Sequence, residues 1–204
     1  MSDEWRMAGM LLAAGAGRRM GMPKALVQTE GGEPWVVRGI RVLLDSGCSP
    51  VVAVLGAGSR EAAQLLAAAF GDEPRLIVQR ADRWAEGMSE SLRAGIDALS
   101  SLELDGVIVT LVDTPSLRPE TVERVRSAAG AVDGERGGAL VQATFDSRPG
   151  HPVFIGRAHW ADLCAGLAGD SGARAYLRSR DALSVECSDL ETGEDIDSVE
   201  TVRP

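Results

Sequence analysis

The 204-residue chain has one lysine, Lys24, against 20 arginines, together with one tyrosine, three phenylalanines, two histidines and three cysteines. Cys48, Cys164 and Cys187 lie far apart and form no Cys-x-x-Cys pair, which excludes a disulfide framework and a thiolate zinc site and leaves reduced, partly buried thiols. No apolar run approaches the ~18 residues of a membrane span. The start, Met1 to Arg6, is acidic instead of signal-like, so a cytoplasmic protein is expected. A net charge of −9 makes the surface repel phosphate backbones and anionic headgroups, which argues against nucleic-acid and membrane partners. The 45% of apolar residues is enough to fill a core.

What is present is an alternation of short continuous apolar runs with stretches of helical spacing, the pattern of strands covered on both faces by crossover helices. The expected class is α/β with a mainly parallel sheet. Strands are expected at Met7–Ala13, Val51–Leu55, Arg75–Val78, Val107–Val112, Ala139–Val141, Val153–Ile155 and Leu183–Cys187. Pro34 and Pro119 can each open a helix, over Pro34–Leu44 and Pro119–Ala128, with Gly47 closing the first. Leu92, Ile96 and Leu99 stripe a helix that starts near Gly87. Gly130–Gly138 reads as a loop, and with no internal repeat or linker the chain is read as one domain, 1–204.

The only lysine lies in the Gly-rich stretch Leu11-Leu12-Ala13-Ala14-Gly15-Ala16-Gly17-Arg18-Arg19-Met20-Gly21-Met22-Pro23-Lys24, which leaves the first strand and ends in a basic cluster. Such a loop can bring backbone N–H groups against phosphate oxygens. It is not a dinucleotide fingerprint, because Met20 stands where the third Gly belongs. Nor is it a Walker A loop, because Met22 and Pro23 separate Gly21 from Lys24 and Ala25 follows. The run Leu12-Ala13-Ala14-Gly15-x-Gly17-x-Arg19-Met20-Gly21-x-Pro23-Lys24 resembles the LAAGxGxRMGxPK signature of MobA-like nucleotidyltransferases. That resemblance implies a Rossmann-like three-layer α/β/α fold and a loop around an NTP triphosphate. Leu12, Ala13, Ala14, Gly15, Gly17 and Arg18 then bind nucleotide, while Arg19 and Lys24 neutralise charge on it.

The most continuous apolar strand ends in Asp113-Thr114-Pro115. A carboxylate at the carboxyl end of a parallel strand faces the ligand crevice and suits Mg²⁺, although Asp before Pro also makes turns. The segment resembles the family's Asp-x-Pro metal motif, which implies Mg²⁺ on Asp113. Asp195-Ile196-Asp197-Ser198-Val199-Glu200 is similar to the family's DIDTPED ending. It implies Asp197, or less directly Asp195, as second ligand, although Val199 and Thr201 depart from that pattern and a solvated acidic tail is the plain alternative. Ser198 and Glu200 can open a short helix there.

Trp84-Ala85-Glu86-Gly87-Met88-Ser89-Glu90-Ser91-Leu92 resembles the WAEGMxxSL segment of molybdenum-cofactor cytidylyltransferases, with Arg80-Ala81 departing from the usual Asn-Pro before it. Gly87 and Ser89 are thereby candidates for ribose or base contact, against the reading of an ordinary capped helix start. Gly150-His151-Pro152 and Gly169-Asp170-Ser171-Gly172-Ala173-Arg174 look like the GHP and GDxGAR segments of the same subgroup. For His151 two uses stay open, donation to an acceptor or a bond to a backbone carbonyl. For Arg174 the choice is between an ion pair with Asp170 and acceptor phosphate. His159 and Trp160 fit helix packing.

The resemblance implies attack by an acceptor phosphate on the α-phosphorus of an NTP, with Lys24, Arg19 and Asp113 in catalysis and pyrophosphate leaving. The LAAG form points to CTP and a molybdopterin-type phosphorylated acceptor, with a molybdoenzyme or its chaperone as a further partner. The alternatives are guanylyl or uridylyl transfer to another small phosphate, or a non-catalytic nucleotide- or molybdopterin-binding accessory protein.

Overall fold

The longest apolar runs become the most deeply buried strands. In the computed structural model, which describes residues 5–132, 134 and 137–197, β1 (Met7–Ala13) and β2 (Val51–Leu55) are buried at every residue. The remaining strands are β3 (Leu76–Arg80), β4 (Gly106–Leu111), β5 (Leu140–Phe145), β6 (Arg148–Gly156) and β7 (Leu183–Glu186). Between them run α1 (Trp35–Asp45), α2 (Ser59–Phe70), α3 (Met88–Leu99), α4 (Pro119–Ala131), α5 (Trp160–Gly166) and α6 (Arg174–Ser179).

The strands form one seven-stranded sheet in the order β3-β2-β1-β4-β6-β5-β7. Its ladders are parallel except where β6 pairs antiparallel with β4 and β5, so β6 alone runs against the others. Because successive side chains of a strand point to opposite faces, the core divides in two. Met7, Leu11, Ala13 and Ile108 pack on one face under α1, α2 and α4. Ala8, Met10, Leu12 and Val109 pack on the other under α3, α5 and α6. This is the three-layer α/β/α arrangement expected from the sequence.

The chain leaves β1 for β2 and β3 on one side and later places β4 on the other. Strand order therefore reverses at β1, and in open α/β sheets the crevice beyond the carboxyl ends of the strands at that point is where ligands bind. The N–H of Val112 continues the β1–β4 ladder by donating to the Leu12 carbonyl at 3.1 Å. Asp113 and Ala14 are thus the first residues beyond two adjacent strand ends.

The expected bounds of β1 and β2 agree with the structure, and those of β7 agree within one residue. Strand β3 begins one residue later than expected and runs on to Arg80. The largest corrections concern β5 and β6. Pro149, Gly150 and Pro152 read as strand breakers, yet all three lie within β6. The sheet tolerates them through a register shift between Gln142 and Thr144 on β5, and Asp146 and Ser147, both at positive φ, turn the hairpin. Helix α4 continues to Ala131, so the loop expected from Gly130 begins later. Helix α1 begins at Trp35, with Pro34 as its N-cap.

Ile108 is fully buried at the centre of β4, whereas Val78 on edge strand β3 is 46% exposed. Ile108→Ala is expected to cost about 2–5 kcal/mol, and Val78→Ala under about 1 kcal/mol. Urea unfolding of the two variants checks the contrast; equal midpoints would overturn this layering.

Candidate functional site

The turn after β1 is built by close backbone approach. Gly17 is at φ +57, and a Cβ there would overlap the carbonyl oxygen of Met22. The N–H of Met20 donates to Gly17 at 2.8 Å, and the N–H of Lys24 reaches back to the Gly15 carbonyl at 3.4 Å. Folded back in this way, the loop carries Lys24 to the end of β4 although 89 residues separate it from Asp113. Lys24 Nζ lies 2.5 Å from Asp113 Oδ2 and 2.6 Å from Asp197 Oδ1.

Asp197 arrives from the C-terminal segment. The N–H of Ile196 donates to the Asp113 carbonyl at 2.8 Å, and Ile196 packs on the core. The backbone of β4 thus positions the side chain that completes the cluster. Arg19 Nη1 stands 3.8 Å from Asp197 Oδ2 on the exposed rim. Ser198, Glu200 and the helix expected there lie outside the described residues.

Charge and burial set the state of these groups. Burial pulls the Lys24 ammonium down, but hydrogen bonds and charge from Asp113 and Asp197 outweigh it, so its pKa is raised and the side chain stays protonated. The hydrogen bond from Lys24, then its charge, holds the Asp197 carboxyl below its usual range. Asp195 is pushed up, by burial first and then by the charges of Asp113 and Asp197.

Two adjoining cavities lie beside this cluster, and Lys24 and Asp113 line the first of them. The first, about 370 Å³, is lined by Leu12, Ala14 to Arg18, Lys24, Asp113, Trp84, Gly87 and Ser91 among others. The second, about 320 Å³, has walls from Leu12, Leu92, Val109, Val153, Ile155 and Leu177, with His151, Gln142, Arg174 and Asp195 as polar groups. Leu12, Met88, Leu111 and Asp170 border both. The first is walled mainly by the Gly-rich loop with Arg18 and Lys24, and the second by strand side chains with Gln142, His151, Arg174 and Asp195 among them.

Most of the residues singled out in the sequence converge here, but not all. Ala13 is fully buried in the core, and Ser89 is 1% exposed with its N–H on the Gly169 carbonyl at 3.1 Å. Neither lines the first cavity, whereas Ser91, two residues further along α3, does. Gly87, at φ +125, is where α3 meets the Gly169 carbonyl, and a Cβ there would overlap it. His151 lines the second cavity with Nδ1 3.2 Å from the Val109 carbonyl, and burial lowers its pKa. Arg174 lines the same cavity, and among the described residues no carboxylate pairs with it, so the ion pair with Asp170 is absent. His159 bonds to Tyr176 and Gly138, and Trp160 is buried, in keeping with packing roles.

Sequence reasoning missed Gln142 and Asp170 as cavity residues. Gln142 is the lone amide in the otherwise apolar start of β5, a signal that was available; the role of Asp170 as a divider between cavities required the loop to be folded.

Comparison with known proteins agrees with this geometry. The chain is 38% identical over 204 residues to nicotine blue oxidoreductase of Paenarthrobacter nicotinovorans, covering 95% of this chain and 93% of that protein. It is 33% identical over 126 residues to molybdenum cofactor guanylyltransferase of Rhodobacter capsulatus, covering 62% of this chain and 60% of that protein. Among solved structures, an Rv0371c homologue from Mycobacterium sp. strain JC1 superposes with a TM-score of 0.75 at 23% identity, covering 96% of this chain and 92% of that one. Rv0371c from Mycobacterium tuberculosis H37Rv in complex with manganese gives 0.65 at 23% identity, covering 90% and 87%. Residues 9–184 match the MobA-like NTP transferase domain, and with the Gly-rich loop, the strand-end aspartate and the sheet order already in place, the chain belongs to that family of nucleotidyltransferases.

Proposed function

We propose that the protein transfers a nucleoside monophosphate from an NTP to the phosphate of a small acceptor, releasing pyrophosphate. The observation that carries this reading is Lys24, held by two carboxylates where the Gly-rich loop and the end of β4 meet in the wall of the first cavity. An oxygen of the acceptor phosphate forms a bond to the α-phosphorus, the α–β bridging bond breaks, and its electron pair leaves with pyrophosphate. A phosphate monoester needs little activation as a nucleophile, so the work left to the protein is positioning and charge neutralisation.

Leu12, Ala14, Gly15, Gly17 and Arg18 surround the triphosphate in this reading, with Gly87 at the ribose. Lys24 and Arg19 offset charge on the bridging and leaving oxygens. Asp113 and Asp197 fit a divalent ion: two hard carboxylate oxygens already converge on one cation, the Lys24 ammonium. Among the described residues no group of three or more His, Cys, Asp or Glu could hold a metal, so the shell would be completed by phosphate and water, as Mg²⁺ prefers. When bound, Mg²⁺ supplies charge neutralisation on the α- and β-phosphate oxygens. The manganese complex of Rv0371c supports divalent-ion use. His151 and Arg174 face the acceptor in the second cavity. The unpaired thiols of Cys48, Cys164 and Cys187 suit a reducing compartment such as the cytoplasm.

Ala14, with the Trp84 ring close by across Gly56, favours CTP over GTP and a molybdopterin-type acceptor in our reading. A second reading has its own observation: the relative matched over 93% of its length is named an oxidoreductase. The two cavities would then hold a dinucleotide reductant and a flat heterocycle.

Four NTPs with Mg²⁺, with and without a phosphorylated acceptor, should separate these readings. Pyrophosphate release, greatest with CTP, is expected. Oxidation of NADPH in the presence of a quinonoid heterocycle, without pyrophosphate release, would favour the second. Lys24→Ala should lower turnover by about 10²–10³-fold, the scale of losing one transition-state donor; wild-type pyrophosphate release in that variant removes the assigned role. Lys24→Met should also bind Mn²⁺ more tightly than wild type without nucleotide, because the ammonium no longer competes for the two carboxylates. Electron paramagnetic resonance titration measures this, and unchanged or weaker binding contradicts a shared cation position. Asp113→Asn should weaken the Mg²⁺ dependence of turnover, and an identical magnesium titration would remove Asp113 from the metal site.

A further inference from the structure

Arg38 on α1 is a half-buried cation with no part in the site described above. It lines neither of the two cavities, and among the described residues no carboxylate pairs with it. Its hydrogen bonds go to backbone instead. Nε donates to the Pro115 carbonyl, and Nη2 donates to the Leu117 carbonyl at 3.4 Å. A guanidinium carries its N–H groups in a rigid planar fork, so two bonds from one edge set the spacing and the direction of both acceptors.

These two carbonyls belong to the turn that follows Asp113. Before Asp113 the chain is tied to β1 by the Val112 N–H, and the Asp113 carbonyl itself accepts from Ile196 at 2.8 Å. Thr114 Oγ1 donates back to the Leu111 carbonyl at 2.8 Å, and the Leu117 N–H closes the turn on the Thr114 carbonyl at 3.1 Å. Pro115 has no N–H, so its carbonyl is the one backbone polar group by which it can be held. Arg38 takes that group. The same cation faces the segment that leads to Asp197: burial pushes the Glu191 carboxyl up, and the charges of Arg118 and Arg38 oppose the shift.

We propose that Arg38 is a positioning residue for the divalent-ion site, fixing through the Pro115 and Leu117 carbonyls the direction in which Asp113 presents its carboxylate beside Asp197. It does so without touching nucleotide, acceptor or ion. The inference rests on the reading of Asp113 and Asp197 as the ion's protein ligands. Lysine is not an equivalent replacement, because an ammonium is a compact charge without the planar edge.

The test is Mn²⁺ binding to the full-length protein without nucleotide, followed by electron paramagnetic resonance in wild type and in Lys24→Met. In either background Arg38→Met should weaken Mn²⁺ by about 10–100-fold, the scale of losing an outer partner of a metal ligand. Arg38→Lys should weaken it as well, and it decides the matter alone if the methionine variant does not fold. Arg41→Met removes another guanidinium of α1, one that pairs with Glu33 at 3.0 Å, and should leave Mn²⁺ binding unchanged. In turnover, Arg38→Lys should raise the Mg²⁺ concentration for half-maximal rate while KM for the NTP at saturating Mg²⁺ stays at the wild-type value. General loosening of the fold would raise both. Wild-type Mn²⁺ affinity in the folded Arg38 variants, an equal loss in Arg41→Met, a parallel rise of both kinetic constants, or no Mn²⁺ binding in either background overturns the proposal. Weakened Mn²⁺ in the Arg38 variants of a protein that releases pyrophosphate with none of the NTPs supports the positioning role while removing the transfer reading.

Discussion

The short contacts from the Lys24 ammonium to Asp113 and Asp197 are the interaction around which the site is organised. Two carboxylates beside each other repel, and a lone ammonium with both Lys24 and Asp113 side chains about 15% exposed would lose solvation without return. Each group is tolerable because of the others. The cluster consequently ties together three distant pieces of chain: the loop leaving β1, the end of β4 and the C-terminal segment. It does so at the place where the order of strands reverses.

Under the proposed transfer, a chain of net charge −9 has to attract a polyanion. Long-range attraction cannot come from the protein as a whole, so it must come from a local field. Arg18, Arg19 and Lys24 supply the positive side chains, and the Gly-rich loop brings backbone N–H groups into the same compartment. Just across Leu12 and Leu111 lies the second compartment, with Gln142, His151, Arg174 and Asp195 in its wall. Two adjoining compartments, with Lys24 and Asp113 in the wall of the first, suit the proposed joining of two small molecules. Asp170 borders both compartments and Gly169 supports the start of α3, so the loop before α6 is part of their common wall.

Much of the fold was legible because β1, β2 and β4 are buried on both faces, and such strands must be apolar at every position instead of alternating. The hairpin of β5 and β6 was not. Pro149, Gly150 and Pro152 carry strong local signals against a strand, yet Pro149 stands opposite Thr144 on β5 and the chain runs on into Val153–Gly156, which pair with β4. The same tertiary override moved Ser89 from a candidate contact to a buried residue. Helical rotation turns its side chain inward, and Ser91 reaches the cavity instead. Gln142 stands out from its apolar neighbours in the sequence, yet only the fold places it in the wall of the second cavity, donating to the Gly150 carbonyl.

By itself the sequence determined the class of sheet and the family that the first loop and its one lysine resemble, because these depend on residue types and spacing within short stretches. Only the tertiary structure decided that Asp113 and Asp197 share that lysine, and that the His151 ring donates to the Val109 backbone carbonyl. Both outcomes depend on distances between segments 42 to 173 residues apart in sequence, which no local pattern encodes.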